Sequence, residues 1–311
     1  GGSDACPHGH KNTIFVCKSK TLGVSVSKHF DDLVCVLGDE RSSDASNASA
    51  EVFAHGGDLA RPLFVSTSEL YVLLDHTLAS TGRARSFFST SAEAAAFVRD
   101  LSGTGDLLAS FDCDEDGPQE SGSGGSSSAT TAPVASSKGD VQRRLLTYER
   151  FRQFVEKSTR FTRELRKVGE MTVYREIFSY IKGSAEAMET DSGFLSEDQY
   201  VNMAHKVSSL PEELRPLVYA LFVEYKSKRR ELFDLSDLIF HLIRAKRNGK
   251  LAGTRIDRFV VDEVQDLMLA EVKLLLELSS DKNGLFLCGD TAQTISRGVG
   301  FRFADVKTLF H

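Results

Sequence analysis

The 311-residue chain lacks several things, and each absence excludes a class of protein. Its five cysteines are scattered and odd in number. They make no disulfide framework and point to a reducing compartment. No apolar run approaches the roughly 18 residues a membrane span needs. The first residues, Gly1-Gly2-Ser3-Asp4, have neither the charged nor the apolar region of a signal peptide. An intracellular protein without a membrane partner is therefore expected. There is no surplus of basic charge: 38 Lys and Arg stand against 44 Asp and Glu, net -6. The chain as a whole is not a basic nucleic-acid binder, although local basic strips remain open. A phosphate-cradling G-x-x-x-x-G-K-[ST] loop is also missing. Gly103-Thr104-Gly105-Asp106-Leu107 has glycines but no Lys, and Asn248-Gly249-Lys250-Leu251 has no strand before it and no hydroxyl after it. Cys6-Pro7-His8-Gly9-His10 has no second ligand pair at zinc-finger spacing.

What is present is concentrated near the C-terminus. Arg258-Phe259-Val260-Val261 runs into Asp262-Glu263-Val264-Gln265-Asp266, and Leu285-Phe286-Leu287-Cys288 runs into Gly289-Asp290-Thr291-Ala292-Gln293. Each is an apolar stretch that ends abruptly in carboxylates. The amphipathic segment 267–279 lies between them and reads as a crossover helix. Strand, acidic tip, helix, strand, polar tip is a parallel α/β unit. It places Asp262, Glu263, Asp290 and Gln293 on the edge where such sheets bind ligands. Adjacent carboxylates at one strand end can divide the work of triphosphate hydrolysis. Asp262 suits a hydrated Mg²⁺, Glu263 suits orienting and polarising water, and the Gln293 amide can both donate to and accept from a phosphate or the water. Asp290 is expected to hold its loop. A single Asp-Glu pair is more often a strand end meeting solvent; the second acidic tip on the next strand argues for a site.

Upstream, 13–17 and 62–66 read as strands, 22–30 and 68–79 as helices, and 91–101 as a further helix. Residues 33–37 fit either a continuation of the first helix or a strand. The Ser/Gly-rich stretch 112–140 cannot bury enough apolar area to fold and reads as a disordered linker. Residues 141–250 read as helical. One stripe is Leu146, Phe151, Phe154 and Val155; another is Val173, Ile177, Tyr180 and Ile181. A capping box is expected at Ser196–Gln199, Pro211 in the first turn of a long helix, and a stop at Asn248-Gly249. This part is basic: eleven Lys and Arg against five Glu between 142 and 182. Such a face can track a phosphate backbone or can simply be a solvated helix surface.

The two tips resemble motifs of the UvrD/Rep-type superfamily 1 helicases: Asp262-Glu263-Val264-Gln265-Asp266 is similar to motif II (Walker B, DExQD), and Gly289-Asp290-Thr291-Ala292-Gln293-Thr294-Ile295 to motif III. Residues 13–30 resemble motif Ia. Ile181 to Ala187, Leu195 to Tyr200 and Gly298 to Phe303 resemble the helicase-like region of the TPR-and-ankyrin-repeat-containing family. The resemblance implies a partial RecA-like, P-loop NTPase-type motor domain. Residues 1–111 and 251–311 would form its core, with 112–140 as linker and 141–250 as helical insertion. It implies ATP and Mg²⁺ as cofactors, Asp262 as the magnesium residue, Glu263 and Gln293 as catalytic, and Gln265, Asp266 and Asp290 around the nucleotide. Its implied partners are a single strand of nucleic acid on the helical insertion and a second motor domain. Motif I would precede Gly1 and motifs IV to VI would follow His311, so the isolated chain is expected to turn over little or no ATP. In UvrD-type enzymes the stretch after motif III stacks aromatics on bases. Here those positions are Ser296 and Gly298, which leaves a non-unwinding, switch-like module as the alternative.

Overall fold

The computed structural model describes residues 12–36, 53, 56–80, 86–88, 94–95, 97–98, 144–204, 208, 210–229, 232–251, 253, 255–290 and 302–310. Four strands form one sheet in the order β2-β1-β3-β4, every pair parallel. They are β1 (Thr13–Cys17), β2 (Leu63–Ser66), β3 (Arg258–Val261) and β4 (Leu285–Leu287). Ile14 lies opposite Leu63 and Phe259, and Val16 opposite Val65 and Val261. All six are buried. Side chains of one strand face alternate with period two, so these stacked rows are the core face.

Helix α1 (Lys20–Val36) connects β1 to β2 and packs on β2. Residues 33–36 therefore continue the helix. Leu33 and Val36 are exposed on it, as its outer turns would be. Helix α2 (Thr67–Ser80) follows β2 directly. The expected helix at 91–101 lies mostly outside the described residues, and the linker 112–140 wholly so.

Between β2 and β3 the described chain is helical, as the apolar stripes require. It comprises α3 (Tyr148–Lys157), α4 (Arg163–Val168), α5 (Glu170–Arg175), α6 (Glu197–Val201), α7 (Arg215–Lys228) and α8 (Leu235–Arg247). Phe151, Val155, Val173, Ile177, Tyr180 and Ile181 are all buried. The capping box at Ser196 forms in full, with Gln199 N–H on the serine Oγ and the glutamine Oε1 on Ser196 N–H. Gly249 ends α8 at φ 63°, where a side chain would be strained. Pro211 differs from expectation. It precedes a 3₁₀ turn, Glu212–Leu214, and the long helix begins only at Arg215, with Pro216 in its first turn. The shorter-range turn absorbs the two glutamates before the apolar periodicity sets in.

Helix α5 passes into a π-helical turn, Glu176–Ile181, and Glu176, Lys182 and Arg215 are all buried. Glu176 is fully buried and accepts from Tyr200 Oη at 2.8 Å and Ser208 Oγ at 2.7 Å; burial raises its pKa. Arg215, also fully buried, donates to the Val201 and Met203 carbonyls. Lys182 is 2% exposed and sits between Asp234 and Asp237, with Arg229 beside both carboxylates. Burial raises the Asp234 carboxyl, helped by the Asp237 charge; burial opposes the Asp237 charge too, but Lys182 and Arg229 hold that carboxyl below its usual range.

The helical stretch meets the sheet through α9 (Leu269–Leu278), the crossover from β3 to β4. Ala270 N–H donates to the Gly183 carbonyl at 2.9 Å, and Ser236 Oγ lies 3.8 Å from Met268 Sδ. A Cβ on Gly183 would stand 2.8 Å from that same sulfur. Only glycine allows the turn after the π segment to approach this closely. A final short helix, α10 (Phe303–Thr308), packs on α9, with Phe303 half-buried against the core.

Candidate nucleotide site

Each strand ends at the same edge of the sheet, and the polar residues of the two tips gather there. Beyond β3 the backbone keeps pairing for one residue on each side: Asp262 N–H donates to the Val16 carbonyl at 2.9 Å, and Val264 N–H to the Cys288 carbonyl at 3.0 Å. Both tips are thus fixed by ladder bonds.

Between these two anchors lies Glu263. Its φ of 54° and ψ of 43° put it in the left-handed region, and it is the one non-glycine residue there among the described residues. A long side chain in that region costs on the order of 1–2 kcal/mol and persists where its surroundings over-determine it. The surroundings here are visible. Glu263 N–H donates to Asp262 Oδ1 at 3.0 Å, and its carbonyl accepts from Asp266 N–H at 2.9 Å, closing a 3₁₀ turn over Val264–Asp266. Asp262 Oδ2 is left with no hydrogen bond among the described residues.

Gln265 links the two tips. It is 2% exposed, its Nε2 donates to Glu263 Oε2, and its Oε1 accepts from Asp290 N–H at 3.2 Å. Gln265, which the sequence suggested near the nucleotide, is buried at the tips and bonds to both Glu263 and Asp290. Gly289 makes room for it. A Cβ at 289 would collide with the Gln265 amide oxygen and stand 2.9 Å from Val264 Cγ1. Gly289→Ala is expected to push Gln265 off Asp290 N–H and to cost about 1–3 kcal/mol, read as a lowered urea midpoint at unchanged m-value. An unchanged midpoint would show that the contact yields freely.

Sequence reasoning missed two neighbours. Cys17 ends β1, its thiol donating to the Ser19 carbonyl at 3.0 Å. Burial, and after it the Asp262 charge, push that thiol up to about 11, so the field of Asp262 reaches across to β1. Glu271, buried in the first turn of α9, accepts from Met268 N–H at 2.7 Å and Tyr71 Oη at 2.8 Å, with Lys18 Nζ at 3.7 Å. It ties the start of α9 to α2 and to the residue following β1. Neither partner can be found from local sequence, because Tyr71 and Glu271 are 200 residues apart. Of the residues expected at the edge, Asp262, Glu263, Gln265, Asp266 and Asp290 are at the two tips. Gln293 lies outside the described residues.

No group of three or more His, Cys, Asp or Glu among the described residues could cage a metal. Mg²⁺ is commonly held by one or two carboxylates, with water and phosphate completing its shell. Asp262, half-buried with one uncommitted oxygen, fits that demand.

An all-parallel sheet flanked by helices, with acidic tips on neighbouring strands, defines the class: a partial RecA-like α/β motor domain of the helicase type. The profile of the UvrD/REP helicase N-terminal domain matches residues 140–311, and the chain belongs to that family. Among similar proteins, "TPR and ankyrin repeat-containing protein 1" of Homo sapiens is 29% identical over 309 residues, covering 97% of this chain and 10% of that protein. An ATP-dependent helicase/nuclease subunit of Oenococcus oeni (strain ATCC BAA-331 / PSU-1) is 30% identical over 129 residues, covering 40% of this chain and 10% of that protein. The chain thus spans about a tenth of the length of these relatives. No helix among the described residues is long and apolar enough to cross a membrane.

Proposed function

We propose that this chain supplies the magnesium- and water-handling edge of an ATP-hydrolysing helicase-family motor. The observation that favours this most is Glu263, a long acidic side chain held in a strained backbone conformation between two paired strands. Strain of this kind collects where a side chain must be aimed. In this reading Asp262 holds hydrated Mg²⁺ through its uncommitted oxygen and Glu263 orients the attacking water. Gln265, Asp266 and Asp290 position the two tips, and Gln293 senses the γ-phosphate. Bound Mg²⁺ would supply positive charge beside Asp262 to offset the charge that hydrolysis develops.

The proposed organisation has a core from 1–111 and 251–311, a linker at 112–140 and a helical insertion at 141–250. Phosphate affinity would come from a Gly- and Lys-bearing loop outside these 311 residues, and arginines of a second motor domain would complete the site. A neighbouring strand can be received on β4, which pairs on one side only among the described residues and exposes Phe286.

The test is Mg²⁺-dependent nucleotide binding and turnover by the full-length gene product. Asp262→Asn is expected to weaken the Mg²⁺ dependence of ATP binding at least tenfold and to remove most turnover. An Mg²⁺ dependence identical to that of the parent would end the assignment. Ser296 and Gly298, where UvrD-type enzymes place stacking aromatics, favour a second reading: a motor-derived module that switches partners with nucleotide and does not unwind. Nucleotide-dependent turnover without strand separation would distinguish it.

A further inference from the structure

We infer that Tyr71, acting through Glu271, positions the turn that carries Glu263. Tyr71 lies on α2, outside the β3 and β4 tips, so its role is one of placement and not of chemistry. The effect on turnover rests on the motor reading; the geometry does not. Only residues 264–267 separate Glu263 from Met268, the residue before α9. Whatever fixes the start of α9 therefore also fixes the far side of the Glu263 turn.

A strained conformation persists where both of its flanks are held. Upstream, Asp262 N–H is bonded to the Val16 carbonyl. Downstream, Asp266 N–H donates to the Glu263 carbonyl at 2.9 Å, and Leu267 N–H to the Val264 carbonyl at 3.1 Å, which brings the chain to Met268. Met268 N–H then donates to Glu271 Oε2 at 2.7 Å. A carboxylate that reaches back to the start of its own helix is ordinary capping. The second oxygen is committed elsewhere: Oε1 accepts from Tyr71 Oη at 2.8 Å, with Lys18 Nζ at 3.7 Å.

Glu271 is thus approached from the start of α9, from α2 and from the residue after β1, and it is 1% exposed. With both oxygens engaged on different elements, its side chain has one orientation in which to cap α9. Tyr71 is fully buried; burial, and after it the Glu271 charge, push the phenol well above its ordinary pKa, so it keeps its proton and remains the donor. Core volume alone does not ask for that hydroxyl. Leu70, Leu74 and Leu78 bury the same helix without one, and a buried hydroxyl is costly unless bonded. Its bond to a carboxylate is of the stronger, charge-assisted kind. It joins α2, which follows the outermost strand β2, to the crossover between β3 and β4.

The first measurement is amide hydrogen exchange of the 311-residue chain, which needs no nucleotide. Tyr71→Phe keeps the ring and removes the bond. It should speed exchange across 264–272 roughly tenfold or more and leave the amides of α8 unchanged. Glu271→Gln can still accept from Met268 N–H and donate to Tyr71 Oη, so its exchange should stay within about threefold of the parent. The second measurement is steady-state ATP turnover by the full-length gene product. Tyr71→Phe should lower kcat roughly 5- to 50-fold with KM for ATP within about twofold, and Glu271→Gln should keep most of kcat. A residue that only supports the fold would lower the unfolding midpoint and leave kcat per folded molecule alone. Exchange in Tyr71→Phe equal to the parent's, or faster in α8 to the same degree, would overturn the inference. So would Glu271→Gln as damaging as Tyr71→Phe, or an unchanged kcat in Tyr71→Phe where Asp262→Asn removes turnover. If Asp262→Asn leaves turnover intact, the motor reading falls alone, and the exchange result decides this one.

Discussion

Glu263→Gln in the full-length gene product is expected to lower ATP turnover about 10²- to 10⁴-fold while leaving nucleotide affinity within a few-fold. A positioned general base contributes on that order, and an amide has no basicity to offer the water. Glu263→Gly separates the two properties of this residue. Glycine enters the left-handed region without steric cost, so this variant should be as inactive as Glu263→Gln. It should also hold its stability or gain up to about 1 kcal/mol, because relief of strain offsets the lost bond to Gln265. Turnover is read in steady state at saturating ATP, stability by urea titration. If Glu263→Gly proves markedly less stable, the conformation is there for structural reasons, and the link between strain and catalysis falls.

Lys182→Met should destabilise the chain by about 3–5 kcal/mol, a drop in melting temperature on the order of 10 °C. The lysine is packed between Asp234 and Asp237 with no route to water. Its loss leaves Asp234 with Tyr225 Oη at 3.0 Å and Arg229 Nη1 at 3.3 Å as its remaining side-chain donors. The pH dependence has a definite sign. Burial already raises the Asp234 carboxyl. An acid whose folded pKa stands above its unfolded value costs stability as pH climbs past the unfolded value. Without Lys182 that elevation grows, so the deficit of Lys182→Met should be larger at pH 7.5 than at pH 5. Asp234→Asn added to Lys182→Met should recover part of the loss, since a neutral amide needs no counter-charge. A deficit independent of pH, with no recovery in the double variant, would mean the lysine acts through packing of its aliphatic stem alone.

The strand-tip edge and this ion cluster lie close together. Asp266 leads through Leu267 to Met268, whose sulfur touches Gly183 and Ser236, and Gly183 follows Lys182 in the chain.

Several features could be read directly because they are local. Apolar runs of four or five residues that end in charge become strands with tips. The 3.6-residue stripes at Phe151–Val155 and Val173–Ile181 become buried helix faces, and Ser196 and Gly249 mark a helix start and stop. Pro211 misled because a 3₁₀ turn and an α-helical first turn accept the same proline and glutamates. Residues 33–37 were ambiguous because an apolar run has no period to distinguish strand from helix; for 33–36, continuity with α1 settled it.

By itself the chain determined a parallel α/β sheet with acidic strand ends and a helical stretch between its two parts. The physical reason is that burial alternates with a period set by the backbone, and charge interrupts it where the chain meets water. The tertiary structure alone decided that Glu263 is left-handed, that Gln265 joins it to the Asp290 loop through the space Gly289 leaves, and that Lys182 is locked between two aspartates 52 and 55 residues away. Those are contacts between segments with no periodic relation. They exist only once the sheet has brought its strand ends side by side.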